Sequence, residues 1–273
     1  MSDTRPIGVF DSGLGGLTIL RTLMQVLPQE RFIYFGDDAN CPYGPRPESE
    51  VRALALDAAR WLVTRDVKAI VVACNSASVS AREVLRTTFP AIPIVVVVPA
   101  VKPAATLTRS GKIVLAATAR AINDRFTRGL IDDFAVGVEV ISVACPGLVD
   151  LVERGILAGP EPEATIARYI TPALATGADV VVLGCTHFPA LRASVERVVG
   201  PQVQVIDSSM AVARQTQNVL SERDWLAPST SDLPVAEFWT SGDPSRFAEV
   251  GSIVLGQHFS ARHTTPAVDT EGA

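Results

Sequence analysis

Val180-Val181-Val182-Leu183-Gly184-Cys185-Thr186-His187-Phe188-Pro189 is an apolar run that ends abruptly in a thiol, a hydroxyl and an imidazole. A β-branched run of this kind is typical of a buried parallel strand. Its last residues would then lie at the carboxyl edge of a sheet, where open α/β sheets bind their ligands. The stretch therefore predicts an α/β fold with a functional group of side chains at the end of this strand.

The same pattern occurs earlier in the chain, in Ala69-Ile70-Val71-Val72-Ala73-Cys74-Asn75-Ser76. A single cysteine at a strand end usually packs as a small hydrophobic residue. Packing alone gives no reason for amide, hydroxyl or imidazole groups to follow a cysteine twice. We therefore predict that Cys74 and Cys185 lie on opposite sides of one pocket.

Composition and charge describe an ordinary globular protein of 273 residues, with 48% hydrophobic and 19% charged residues. The net charge of −5 argues against nucleic acid or an anionic membrane as the main partner. The amino terminus lacks the apolar core of a signal peptide, and no apolar run reaches the roughly 18 residues of a membrane span. We expect a cytoplasmic protein whose cysteines are thiols rather than disulfides.

Short apolar segments alternate with amphipathic helical segments along the chain, which predicts parallel sheets with crossover helices. Strands are expected at 7–10, 32–35, 69–73, 94–98, 112–116, 139–142, 180–184, 204–206 and 237–240. The two cysteine strands fall in separate halves, and the segment after 207 is too short to stand alone. We predict a first domain of residues 1–98 plus 207–258, a second domain of 99–206, and a flexible tail at 259–273.

A glycine-rich segment, Asp11-Ser12-Gly13-Leu14-Gly15-Gly16, follows the first strand. It fits neither a dinucleotide fingerprint, because Thr18 stands where the third glycine is needed, nor a P-loop. We predict that the glycines let the backbone approach a small ligand, with helix-end N–H groups available to a carboxylate. Asp11 would either cap the helix, bind an ammonium group or steer a thiol.

The loop at 36–45 is rich in turn-forming residues and carries Tyr43 and Gly44. The phenol of Tyr43 and the backbone N–H of Gly44 could face a pocket. An ordinary Pro-Tyr-Gly turn is the alternative interpretation. The residues after Cys74, Asn75 and Ser76, could in the same way either cap the next helix or bind a ligand.

Two opposed thiols could form a redox disulfide, bind a metal, or act as acid and base. A redox pair usually has the Cys-x-x-Cys spacing, which is absent, and Cys74, Cys185 and His187 form a poor zinc set. Acid–base chemistry fits better, because a thiol pKa of about 8.5 can be lowered by a helix N-terminus or a cation. Inverting an amino-acid α-carbon needs one thiolate and one thiol on opposite faces, which explains the repeated motif.

His187 lies two residues after Cys185, which in an extended segment places both side chains on one side. It could deliver or relay a proton with Glu153 as its partner, and Asp11 could play the matching role for Cys74. His187 could instead be a helix cap or a packed imidazole, and Glu153 could lie on a solvated helix face.

Four ordered motifs carry a resemblance to a known family: Val9-Phe10-Asp11-Ser12-Gly13-Leu14-Gly15-Gly16-Leu17-Thr18, Pro42-Tyr43-Gly44, Ala73-Cys74-Asn75-Ser76-Ala77-Ser78 and Gly184-Cys185-Thr186-His187-Phe188-Pro189. Together they resemble the glutamate racemases of the aspartate/glutamate racemase family, in register from about residue 7 to residue 255. The resemblance implies a racemase without cofactor or metal that supplies D-glutamate for peptidoglycan. It also implies two pseudo-symmetric α/β domains, an active site in the cleft between them, and a homodimer.

By motif position, the resemblance makes Cys74 and Cys185 the acid/base pair, assisted by Asp11, His187 and Glu153. The residues it implies around glutamate are Asp11, Ser12, Tyr43, Gly44, Asn75, Ser76, Thr118, Thr186 and His187.

The chain departs from the family pattern at three positions, which are Asn40 in place of a common Arg, Ser76 in place of Thr, and Ala121 in place of a residue that often carries a hydroxyl. Asn40 and Ala121 leave the contacts to the substrate side-chain carboxylate open. A related racemase for aspartate or hydantoin is therefore one alternative. A non-catalytic amino-acid-binding protein on the same scaffold is another.

Overall fold

Two parallel β-sheets flanked by helices form the computed structural model, which describes residues 2–228 and 236–266. Most strands are short apolar segments, and the central strands of each sheet are buried on both faces, as expected for sheets covered by helices. The strands are β1 (Ile7–Asp11), β2 (Phe32–Gly36), β3 (Ala69–Val72), β4 (Ile94–Val96), β5 (Lys112–Ala117), β6 (Glu139–Ala144), β7 (Val180–Leu183), β8 (Gln204–Asp207), β9 (Ala236–Thr240) and β10 (Ala261–His263). The predicted parallel α/β class is confirmed.

The helices connect these strands as crossovers. They are α1 (Leu17–Val26), α2 (Glu48–Val63), α3 (Asn75–Thr88), α4 (Val101–Leu107), α5 (Ala119–Asn123), α6 (Arg125–Phe134), α7 (Leu148–Glu153), α8 (Pro160–Leu174), α9 (Arg192–Val199), α10 (Ser209–Ser221) and α11 (Pro244–Leu255), with 3₁₀-helices at Asp38–Asn40 and Phe188–Leu191. In the described ranges no helix combines the length and apolar character needed to cross a membrane.

Three of these helices, α4, α5 and α8, were not expected from the sequence. The first two are short, with 7 and 5 residues. The third contains three prolines, which favour a loop interpretation, but Pro160 occupies the first helical turn where its missing N–H is harmless. Ile166 and Ile170 of α8 are buried in the core, so packing outweighs the local preference.

The two sheets take their strands from different parts of the chain. The six-stranded sheet has the order β10-β9-β2-β1-β3-β4, and the four-stranded sheet has the order β6-β5-β7-β8. Every strand pair is parallel. Helix α10 returns to pack against α1. We propose on this basis that residues 1–98 with 207–258 form one domain and residues 99–206 the other.

The carboxyl-terminal segment corrects one expectation. Strand β10 pairs in parallel with β9, and the ring of Phe259 stacks on that of Phe238 at a centroid distance of 3.9 Å. The expectation of a flexible tail from residue 259 is therefore wrong as far as Thr264, because aromatic packing, strand pairing and the hydrogen bond from Thr264 N–H to the Thr240 carbonyl hold this segment. Residues 267–273 lie outside the described part of the chain.

Asp179, just before β7, is expected to make stability depend on acid pH. Its carboxylate accepts hydrogen bonds from Thr108 Oγ1, Ser110 Oγ and the backbone N–H groups of Arg109 and Ser110. Burial opposes the shift, but these hydrogen bonds hold the pKa of Asp179 down to about 2. We expect Asp179→Ala to lower the free energy of unfolding by about 1 kcal/mol at pH 7.

The sign of the pH dependence follows from the depressed pKa of Asp179. The stabilisation is complete above the unfolded pKa of about 3.9 and disappears as the pH falls through about 2. Urea unfolding at pH 7, 5 and 3 should therefore show the difference between wild type and variant narrowing at pH 3. An equal difference at all three pH values would contradict this assignment.

Candidate active site

A cavity of about 340 Å³ lies where the carboxyl ends of strands from both sheets meet. Its size is in the range of small-molecule sites, and its position follows the rule for ligand sites in parallel α/β sheets. Of the residues implied by the sequence, the cavity is lined by Ser12, Tyr43, Gly44, Cys74, Asn75, Ser76, Thr118, Cys185, Thr186 and His187.

The two cysteines reach this cavity from different sheets. Cys74 lies between β3 and α3, and Cys185 follows β7 after Gly184. Both are buried and line the same cavity. The Cys74 thiol donates to Ser12 Oγ at 3.5 Å, and burial, together with the Asp11 carboxylate, raises the pKa of Cys74 to about 12.

Cys185 has an imidazole as its neighbour. His187 Nδ1 lies 3.8 Å from Cys185 Sγ, and His187 Nε2 lies 2.6 Å from Glu153 Oε1. The expected extended geometry is wrong, because His187 has φ −72° and ψ −35° and leads directly into the 3₁₀-helix Phe188–Leu191. A turn in which Phe188 N–H donates to the Cys185 carbonyl folds the ring back toward the thiol instead.

The hydrogen-bonded pair of His187 and Glu153 favours charged groups beside the Cys185 thiol. Burial disfavours the imidazolium, but hydrogen bonds to Cys185, Cys41 and Glu153 hold the pKa of His187 well above its ordinary value. Burial likewise opposes ionisation of Glu153, but the hydrogen bond from His187 leaves the pKa of Glu153 lowered. Both pKa shifts favour an imidazolium–carboxylate pair next to Cys185, whereas Cys74 faces the hydroxyl of Ser12.

The glycine-rich loop packs against this pair. A Cβ atom on Gly15 would lie 2.3 Å from His187 Nδ1, and one on Gly13 would lie 2.4 Å from Glu153 Oε1. The backbone N–H of Leu14 donates to Glu153 Oε1 at 2.9 Å. This loop therefore binds the carboxylate of Glu153, while its residue Ser12 lines the cavity.

Asp11 lies behind the cavity rather than on its wall. Its Oδ1 accepts from Gly13 N–H at 2.9 Å, and its Oδ2 accepts from Thr186 Oγ1 at 3.2 Å. Complete burial raises the pKa of Asp11, partly offset by the positive charge of His187. Asp11 thus links the loop after β1 to the residue that follows Cys185.

Asp37 holds Tyr43 in place and was missed from the sequence. Its carboxylate accepts from Tyr43 OH at 2.6 Å, from Ser241 Oγ and from Asn40 Nδ2. Asn40, one of the departures from the family pattern, therefore binds Asp37 and does not line the cavity. The sequence signal that could have identified Asp37 was its position directly after β2.

The turn after β6 also forms part of the wall and was not expected. Residues 144–147, with Val149 and Asp150, line the cavity, and Cys145 is a third buried thiol there. Its pKa is raised to about 12 by burial and by Cys185. Arg120 Nε donates to the carbonyl of Gly44, another residue that lines the cavity, at 3.1 Å. This hydrogen bond joins the two proposed domains.

Thr118 and Ala121, which the family resemblance singled out, both lie near the start of α5. Thr118 lines the cavity, and its hydroxyl also accepts from Ala121 N–H at the start of α5. Ala121 is fully buried and offers no polar side chain. In the described residues, one group of side chains could hold a metal, and it consists of Cys41, Glu153 and His187.

Comparison with known proteins agrees with this geometry. Residues 16–216 match the family model described as Asp/Glu/Hydantoin racemase. A glutamate racemase of Roseiflexus sp. (strain RS-1) is 44% identical over 92% of this chain and 93% of that protein.

Comparison with solved structures indicates the same family. The glutamate racemase of Francisella tularensis subsp. tularensis SCHU S4, in complex with D-glutamate, superposes with a TM-score of 0.85 at 31% identity, covering 98% of this chain and 99% of that one. The Escherichia coli glutamate racemase, in complex with L-glutamate and the activator UDP-MurNAc-ala, gives 0.83 at 30% identity, covering 95% and 97%. The chain therefore belongs to the Asp/Glu/Hydantoin racemase family.

Proposed function

We propose that this protein is a glutamate racemase that interconverts L- and D-glutamate with Cys74 and Cys185 as its acid/base pair. The observation that carries the proposal is the convergence of these two thiols, from separate sheets, on one small cavity. The relatives named glutamate racemase, and the two solved with glutamate bound, support the choice of substrate.

In this mechanism one cysteine, as thiolate, removes the α-proton of glutamate. The other cysteine, as thiol, donates a proton to the opposite face of the α-carbon, so that one S–H bond forms while another breaks. Turnover leaves the two sulfurs with their protonation states exchanged, ready for the product enantiomer. The reaction needs no oxidant and no external base, and we propose that it proceeds without a cofactor.

The two cysteines have different neighbours, which supports different roles for those neighbours. We propose that His187, held by Glu153, stabilises negative charge at Cys185, and that Ser12 and Asp11 orient Cys74. The proposed contacts to glutamate are Ser12, Tyr43, Gly44, Asn75, Ser76, Thr118, Thr186 and His187. Because α3 begins at Asn75, its positive dipole end lies at the cavity and suits a carboxylate.

We further propose that the product serves peptidoglycan synthesis in the cytoplasm and that the protein is a homodimer, as the family resemblance implies. All four cysteines are free thiols, which fits a reducing compartment. Met210 on α10 and Ile253 on α11 are exposed, and both helices pack against α1, so this side is a candidate dimer face.

A substrate panel tests the proposal. We expect purified protein to racemise both enantiomers of glutamate and to process aspartate at least about tenfold less efficiently, because one missing methylene is worth about 1–3 kcal/mol. Circular dichroism of the amino acid gives both rates. Faster turnover of aspartate or of a hydantoin would support the related racemase instead, and binding without turnover would support a non-catalytic amino-acid-binding protein.

A further inference from the structure

Three side chains from distant parts of the sequence place a sulfur, a nitrogen and an oxygen within 4.8 Å of one another. They are Cys41, in the loop after β2, His187, after β7, and Glu153, at the end of α7. Thiolate, imidazole and carboxylate are the ligands that Zn²⁺ takes in proteins. We propose that Cys41, His187 and Glu153 bind a zinc-like divalent cation and that its binding inhibits the enzyme.

The distances are close to those of a tetrahedral site. Cys41 Sγ lies 3.5 Å from Glu153 Oε1, whereas His187 Nε2 lies 2.6 Å from the same oxygen. Ligand atoms at bond lengths of about 2.0–2.3 Å from zinc are roughly 3.3–3.7 Å apart at tetrahedral angles. The sulfur and oxygen already have this spacing, and the imidazole must withdraw by only about 1 Å. Water would complete the coordination.

A second observation concerns the other oxygen of the Glu153 carboxylate. Among the residues that the structure describes, Glu153 Oε2 is buried and has no hydrogen-bond partner. Asp38 is a second carboxylate on this side, and burial and the Glu153 carboxylate raise its pKa. The Arg246 guanidinium, 3.1 Å from Asp38 Oδ2, offsets part of the negative charge. Gly13 adds no side chain here, because its Cβ would lie 2.4 Å from Glu153 Oε1 and 2.9 Å from Cys41 Sγ.

Access to the site is separate from access to the substrate cavity. Cys41 is partly exposed, and neither Cys41 nor Glu153 lines the cavity of the two catalytic thiols. A cation would therefore arrive from the Cys41 side and reach His187 from behind.

Binding would exchange protons for the metal without any change in oxidation state. The cation forms bonds to Cys41 Sγ, His187 Nε2 and Glu153 Oε1, and it displaces the thiol proton of Cys41 and the Nε2 proton of the imidazolium. Two protons leave for each cation bound. Because the thiol and the imidazolium must lose these protons to bind the cation, binding becomes weaker as the pH falls.

The inhibitory effect rests on the proposed function, whereas the binding site does not. A metal on Nε2 and Oε1 breaks the His187–Glu153 ion pair next to Cys185. It therefore removes the charge arrangement that the proposed mechanism requires on one side of the α-carbon.

The test is a zinc chloride titration of the purified protein, read by competition with a chromogenic chelator. We expect one equivalent bound by wild type, about two protons released in weak buffer, and affinity at least about tenfold lower in Cys41→Ser. Cys145→Ser, which removes another buried thiol, is the matched control and should bind zinc as wild type does. Racemisation in each variant, relative to its own zinc-free rate, should fall with zinc and recover with EDTA, except in Cys41→Ser.

Equal zinc affinity in wild type and Cys41→Ser would overturn the proposed site, as would loss of binding in Cys74→Ser or Cys185→Ser instead. Zinc bound through Cys41 with no loss of racemisation would overturn the inhibition. The chelator readout does not depend on turnover, so protein that binds zinc but racemises nothing would count against the proposed function and not against the site.

Discussion

Replacing either Cys74 or Cys185 with alanine is expected to lower racemisation of glutamate by about a thousandfold or more, in both directions. General acid–base catalysis by one positioned group contributes about 10²–10⁴-fold, and inversion requires a group on each face of the α-carbon. Both cysteines are buried at the wall of one cavity, so neither can substitute for the other from its own side. Rates in both directions, measured by circular dichroism, test this.

Solvent-deuterium exchange separates a lost base from a damaged site. A variant with one remaining thiol can still remove and return the α-proton on that face. We therefore expect deuterium to enter one enantiomer with retention in Cys74→Ala and the opposite enantiomer in Cys185→Ala. Exchange into the same enantiomer by both variants, or full racemisation by either one, would refute the two-base mechanism.

The third thiol of the cavity provides the control for this experiment. Cys145 is as deeply buried as the other two, and its Sγ donates to the Val143 carbonyl at 3.5 Å. The proposed mechanism gives it no role. Cys145→Ser should therefore keep racemisation within a few-fold of wild type.

Much of the fold could be predicted because the strands that position the thiols are dominated by one physical signal. Segments 69–73 and 180–184 are β-branched and apolar, and both are buried strands in the structure. The helix α8 and the strand β10 could not be predicted in the same way. The prolines of α8 are unfavourable for a helix prediction. Strand β10 depends on the packing of Phe259 against Phe238, a contact that local sequence does not encode.

The site shows the same division between local and long-range information. Residues just beyond a strand end, such as Ser12 after β1 and Thr186 three residues after β7, could be assigned to the cavity because ligands bind at this edge of parallel sheets. The expected pairing of His187 with Glu153 is present in the structure. The contact of Leu14 N–H with Glu153 could not be predicted, because 139 residues separate the two in sequence. The expectation that the glycine-rich loop binds a ligand carboxylate did not include this internal contact, and it stays a prediction.

Glu153→Gln is expected to lower racemisation by about a hundredfold at pH 8 and by only about tenfold at pH 6. The amide keeps the size of the side chain and an oxygen for Leu14 N–H, but it removes the negative charge 2.6 Å from His187 Nε2. Burial alone would lower the pKa of His187, and in wild type the hydrogen bonds to Cys185, Cys41 and Glu153 overcome it. Without the carboxylate, the pKa of His187 must fall.

The direction of the pH effect follows from that fall. In wild type, Glu153 is one of the partners that hold the pKa of His187 well above its ordinary value, so the imidazolium persists to higher pH than in the variant. In the variant, His187 loses its proton as the pH rises through the lowered pKa, and the positive charge beside Cys185 disappears at pH 8 first. The ratio of wild-type to variant rate should therefore increase with pH.

Glu163→Gln is the matched control, because Glu163 forms an exposed ion pair with Arg197 at 2.7 Å and lies outside the cavity. It should alter neither the rate nor its pH profile. A constant rate ratio for Glu153→Gln between pH 6 and pH 8, in protein that unfolds cooperatively like wild type, would mean that Glu153 only fills space. In that case the charge of His187 could not be the feature that distinguishes the Cys185 side of the cavity from the Cys74 side.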